Sequence, residues 1–220
     1  MVGATLAGIV FRSVEPDDGG AALRREQVDT PVGQGLVPAL LGGLRPMVAA
    51  GCWLRANLAW EVRDEAATIA WIDATIATDG RVAAYWLNGA RMIAYDLPAW
   101  SAPHDRAHTQ ACAERALRLL ERGLLVRGAD AALWMEMANI QLRVRGDREA
   151  AARLYRQAAL VPGAPYHAAR IHGELLVALG RPGEALAWFR AVRVTLPADD
   201  PAARIEVVEA RIRQLAAMSP

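Results

Sequence analysis

Apolar positions in this chain recur at helical spacing, and runs suited to strands are scarce, so the pattern predicts helices throughout. The end of the chain shows it most cleanly. Ile205, Val208, Ile212 and Leu215 fall on one stripe, with Arg204, Glu206, Glu209, Arg211 and Arg213 on the other side. Asp199-Asp200-Pro201 precedes them as an N-cap with Pro at the first helical position, predicting a half-polar helix over 200–218. Glu209 and Arg213 are spaced to pair along it.

Upstream of that helix the pattern repeats. Gly146 and Gly180, Ala151 and Ala185, and Tyr155 and Phe189 are each separated by 34 residues. The glycines suit a left-handed turn that ends a first helix. The alanines suit a close crossing of two helices, and the aromatics lie four residues further along the same face. Pro162 and Pro197 then stop the second helices.

With these positions the chain resembles the tetratricopeptide repeat (TPR) family. One unit reads Trp134, Ala138, Gly146, Ala151, Tyr155, Pro162, and the next reads Gly173, Leu176, Gly180, Ala185, Phe189, Pro197. The second of these carries Ala169 where the family has its Trp, and Pro162 arrives one residue early. The resemblance implies an all-α fold: an α-solenoid of about four TPR-like hairpins with a C-terminal capping helix. The expected hairpins cover about 44–79, 82–127, 130–162 and 165–197, within a repeat domain of 36–220 that follows an N-terminal segment of 1–35.

The earlier units are looser. Trp53 to Ala77 reads as one hairpin with Arg63-Asp64-Glu65 at its turn, and Asp79-Gly80 closes it. Ala83 to Tyr95 and His108 to Leu125 read as the next pair, with Asp96 to Asp105 predicted as a long Pro-interrupted connection carrying Trp100. Before them, Leu36 to Trp53 is apolar but broken by Pro38, Gly42-Gly43, Arg45 and Pro46, which argues against a membrane span. The run LLGGLRPMVAAGCWLRA resembles bacterial membrane-anchored TPR proteins without an assigned activity, with Leu44 in place of their aromatic. That resemblance implies an extracytoplasmic, membrane-associated setting; a cytoplasmic one stays open beside it. Met1 to Phe11 is too short to cross a bilayer and lacks a basic start. Both a packed apolar segment and the distal end of an anchor remain open for it.

Composition sharpens the picture. With 25 basic and 24 acidic side chains the net charge is +1, leaving no general field to draw nucleic acid. Cys52 and Cys112 are far apart and outside any C-x-x-C pair, so two small buried thiols are expected and a disulfide is left to the geometry. No phosphate-binding glycine loop, G-x-S-x-G or H-E-x-x-H occurs. His104 and His108 flank Asp105 with the spacing of two metal ligands, but no third ligand is evident, so a metal-dependent enzyme is the weaker alternative and no metal or cofactor is expected. Ser101, His104 and Asp105 sit too close along one loop to make a triad. Glu61, Asp64 and Glu65 read as solvated turn charges, and His172 as a hydrogen-bonded core histidine, with His167 at the start of the same helix.

The expected function is therefore a noncatalytic scaffold or adaptor for another protein or peptide, with no small-molecule substrate. The TPR resemblance puts Asn57, Arg91, Asn139, Arg143, Arg170 and Glu174 on the lining formed by the first helices. Arginines there would offer a fixed fork of donors to a carboxylate. Trp100 is the candidate exposed anchor. A structural subunit of a membrane complex, docking through the convex side and the N-terminal segment, is the other reading.

Overall fold

The computed structural model describes residues 31–101 and 105–218, with side chains from residue 43 onward. The sequence-predicted features at Met1–Phe11 and His104 lie outside the described residues. Two compact units divide the chain, Met1–Leu40 and Leu41–Pro220, and the helical hairpins belong to the second.

Every regular element among the described residues is helical. Helix α1 (Pro31–Glu61) turns at Val62–Arg63 into α2 (Glu65–Thr78). Next come α3 (Ala83–Arg91), a π turn (Met92–Asp96), α4 (Leu97–Trp100) and α5 (Arg106–Arg127). The third pair is α6 (Ala131–Ile140), continued by a π turn (Gln141–Arg145), against α7 (Arg148–Ala159), and the fourth is α8 (Tyr166–Ala178) against α9 (Pro182–Thr195). One 3-10 turn (Pro201–Ala203) leads into α10 (Ile205–Met218), which packs on α9. The chain is an all-α solenoid of TPR-like hairpins closed by a capping helix.

Aspartates start many of these helices. Asp64, Asp105, Asp130, Asp147 and Asp200 each accept a hydrogen bond from a backbone N–H two or three residues on. Each such cap contributes about 1 kcal/mol by satisfying a donor the helix cannot. Gly146 and Gly180 end first helices at φ of 71° and 75°, the left-handed turns their spacing predicts. Gly173 serves close packing instead. A Cβ there would lie 2.4 Å from the Phe189 ring, so α8 and α9 pack at a distance only glycine permits. Trp188 donates from Nε1 to the Ala169 carbonyl at 2.8 Å, so an aromatic from α9 reaches the place where the family's Trp is missing.

Three expectations change. Asp96 to Trp100 is not loop: the helix runs on through Pro98 to Trp100. Leu97 N–H donates to the Met92 carbonyl, five residues back, and this wider turn opens the backbone just where proline lacks a donor and crowds the preceding turn. Leu97 is fully buried, which fixes the extension in place. Second, α1 passes through Pro46 unbroken. Pro46 has no N–H to donate to the Gly42 carbonyl, so the helix continues across one missing backbone hydrogen bond. Third, the capping helix begins at Ile205, because Arg204 adopts φ 47° and interrupts it. The carbonyls of Ala202 and Ala203 accept instead from Arg170. Val208 and Leu215 are buried beneath α10 as its stripe predicts, while Glu209 pairs with Arg193 of α9 at 2.7 Å rather than with Arg213.

Candidate functional site

The first helices of the first three hairpins lie side by side. Trp53 of α1 packs on Tyr85 of α3, with ring centres 5.6 Å apart, and α3 in turn contacts α6. On this face the chain assembles polar groups that its core would otherwise exclude.

Glu136 is the centre of that assembly. It sits within the apolar run of α6, and its side chain is only 4% exposed. Burying a lone carboxylate to that depth costs several kcal/mol unless donors meet it. Here Arg91 donates to its Oε2 from Nε at 2.9 Å and from Nη2 at 2.8 Å, and Tyr95 donates to Oε1 at 3.2 Å. Three donors from the second hairpin thus hold a carboxylate of the third. One turn along α6, the side-chain amide Oδ1 of Asn139 accepts from the Tyr155 hydroxyl of α7 at 2.7 Å. Burial raises the Tyr95 hydroxyl above its ordinary pKa, and the Glu136 charge adds to the effect; burial likewise raises Tyr155. Both phenols therefore remain donors at neutral pH.

Arg143 stands beside these groups. Its charge reaches both tyrosine hydroxyls, yet it has no hydrogen-bond or ion-pair partner among the described residues and is exposed. Both π turns fall here: one carries Tyr95 and the other carries Arg143. Such single wide turns shift the facing of the side chains that follow, and they occur frequently at functional sites.

A groove of about 350 Å³ continues this face between α1 and α3, lined by Trp53, Asn57, Asn88, Arg91 and Asp96. Trp60 donates to Asp96 there at 3.0 Å. A larger cavity, about 780 Å³, lies elsewhere, between the end of α7, the start of α8 and the end of α9; Tyr166, His167, Arg170 and Trp188 contribute to its wall.

The sequence-predicted residues separate into four groups. Arg91, Asn139 and Arg143 come together around Glu136 and the two tyrosines. Asn57 lies in the adjoining groove, its amide donating to the Trp53 carbonyl at 2.8 Å. Arg170 and Glu174 are engaged within the chain: Arg170 binds the carbonyls before α10, and Glu174 pairs with Arg211 of α10 at 2.5 Å. Trp100 is half-buried at the end of α4 and rests against Trp60, with ring centres 6.4 Å apart. Neither Glu136 nor Tyr95 is among the site residues the sequence predicts. The available signal was an acid inside Ala131–Ile140, where every neighbour but Asn139 is apolar.

His172 is buried and shares a 2.8 Å hydrogen bond between Nδ1 and the Ala152 carbonyl. The Trp188 ring meets it edge-on at 4.5 Å. Cys52 is half-buried, Cys112 is buried, and both are free thiols.

Fold and face together define a TPR-like helical repeat with a polar cluster on its first helices. The chain is similar in fold to a crystal structure of a thermophilic TPR protein from Thermus thermophilus, at 18% identity and a TM-score of 0.48, covering 84% of this chain and 93% of that one. No family model and no curated protein matches the sequence.

Proposed function

We propose that this protein is a noncatalytic interaction scaffold that holds an extended peptide across its first helices, with Arg143 receiving a carboxylate. The observation that carries this reading is the exposed, unpaired Arg143 next to a fully engaged buried network. Arg91, Tyr95 and Glu136 fix one another, so the surface Arg143 shares with them is pre-organised. Asn88 and Asn139 supply amides at hand for a peptide backbone. Arg91 has its donors turned to Glu136, which makes it part of the frame, and Arg143 the recognition group.

Peptides selected from a displayed random library against the full chain test this. The selected sequences should carry Asp, Glu or a free C-terminus, and Arg143→Glu should weaken them by about tenfold or more through lost pairing and added repulsion. Unchanged affinity in Arg143→Glu would rule out this face as the binding groove.

A second reading, a structural subunit of a membrane-associated assembly, is favoured by one observation. Leu44, Met47, Val48, Leu54 and Leu58 of α1 are exposed, and they fall within about 120° of one another around the helix. The resemblance of the Leu40 to Ala56 run to membrane-anchored proteins supports the membrane setting. No helix among the described residues is long and apolar enough to cross a membrane. Sedimentation analysis separates the readings: a monodisperse monomer at high concentration disfavours the subunit, and self-association abolished by Leu54→Glu favours it.

A further inference from the structure

The first and second hairpins meet at a group of side chains that the peptide-binding reading does not use. Glu65, in the first turn of α2, faces His108 and Cys112, which are one turn apart on α5. The His108 Nε2 atom lies 3.4 Å from Glu65 Oε2 and 3.5 Å from Cys112 Sγ, and the three ligating atoms all lie within 4.8 Å of one another. One ring nitrogen thus has a carboxylate oxygen and a sulfur at hand together.

The two distances from His108 Nε2 fit a particular chemistry. With Zn–N and Zn–O near 2.1 Å and Zn–S near 2.3 Å, a tetrahedral zinc sets N···O at about 3.4 Å and N···S at about 3.6 Å. The mixture of thiolate, imidazole and carboxylate suits borderline Zn²⁺ and disfavours the all-oxygen ions Mg²⁺ and Ca²⁺. Cys112 is buried and His108 is 22% exposed, while Glu65 is 40% exposed, so the sulfur forms the floor and the carboxylate the open rim. Asp105 anchors the ligand helix by capping α5 through the His108 N–H at 2.9 Å.

We propose that Glu65, His108 and Cys112 form a zinc site that joins α2 to α5, with the fourth coordination position open to water. Binding forms one Zn–S, one Zn–N and one Zn–O bond, and the Cys112 thiol proton leaves to solvent. The metal adds to the existing link between the same helices, in which Arg115 and Arg122 pair with Asp73 at 3.2 and 3.3 Å. Its effect is to lock the first hairpin onto the second.

The test uses the full reduced chain and Zn²⁺ or Co²⁺ alone. Equilibrium dialysis should leave one zinc per chain, and Co²⁺ should give thiolate charge-transfer absorption and the visible bands of a tetrahedral ion. Cys112→Ser should abolish the charge-transfer band, and Cys52→Ser should keep it. Because Cys112 is buried, His108→Gln and Glu65→Gln serve as surface-side variants, each checked for folding by circular dichroism. Each should lose affinity by about tenfold or more. Zinc should raise the Tm of the native chain, and raise that of these variants less at the same concentration. Absence of stoichiometric zinc from the folded native chain, or retention at the native level by the His108→Gln and Cys112→Ser proteins, would overturn the site.

Discussion

Glu136 brings a carboxylate into an apolar helix, and Arg91 and Tyr95 supply its hydrogen-bond donors there. Arg91→Ala should destabilise the chain by about 1–3 kcal/mol, discounted from a fully buried pair because the guanidinium is half exposed. A double-mutant cycle with Glu136→Gln, read from urea midpoints, should show that most of this cost vanishes once the carboxylate is neutral. His172 offers a pH signature. Burial holds its pKa below the ordinary 6.5, so protonation favours the unfolded chain. Stability should be full above pH 6.5 and decline as pH falls below it, and the slope should flatten in His172→Asn. That histidine's role was legible from its place opposite a second helix. The Arg91–Glu136 pair was not, since its partners are separated by 45 residues and belong to different hairpins.

Glycines and wide turns set the geometry of the elements. Gly146→Ala and Gly180→Ala should each cost about 1–2 kcal/mol, because L side chains resist the left-handed turn. Gly173→Ala should cost about 1–3 kcal/mol by forcing the Phe189 ring away. Gly183→Ala, at a helical position with open space around the missing Cβ, should be neutral or stabilising by up to about 1 kcal/mol. Thermal unfolding of the four variants checks the ordering. The repeat spacing made the first two legible in sequence. The π turns were hidden: Pro98 reads locally as a helix stop, and only the burial of Leu97 and the Leu97–Met92 hydrogen bond carry the helix past it.

At the scale of the molecule, each hairpin buries its apolar face on the next, and α10 closes the last one. Val208→Asp, which places a charge at a fully buried position, should unseat α10, and hydrogen exchange should then speed first in α8 and α9. The cap explains why Arg170 and Glu174 differ from Arg143. Repeat position alone puts all three on one lining, but only a contact with a later element shows which side chains are already engaged. The central claim, that the face carrying Arg143 is the binding surface, is tested most directly by hydrogen exchange of the full chain with and without a selected acidic peptide. Protection should appear in α3, α6 and both π turns, and vanish in Arg143→Glu. Protection confined to the outer stripe of α1, or to α9 and α10, would contradict it.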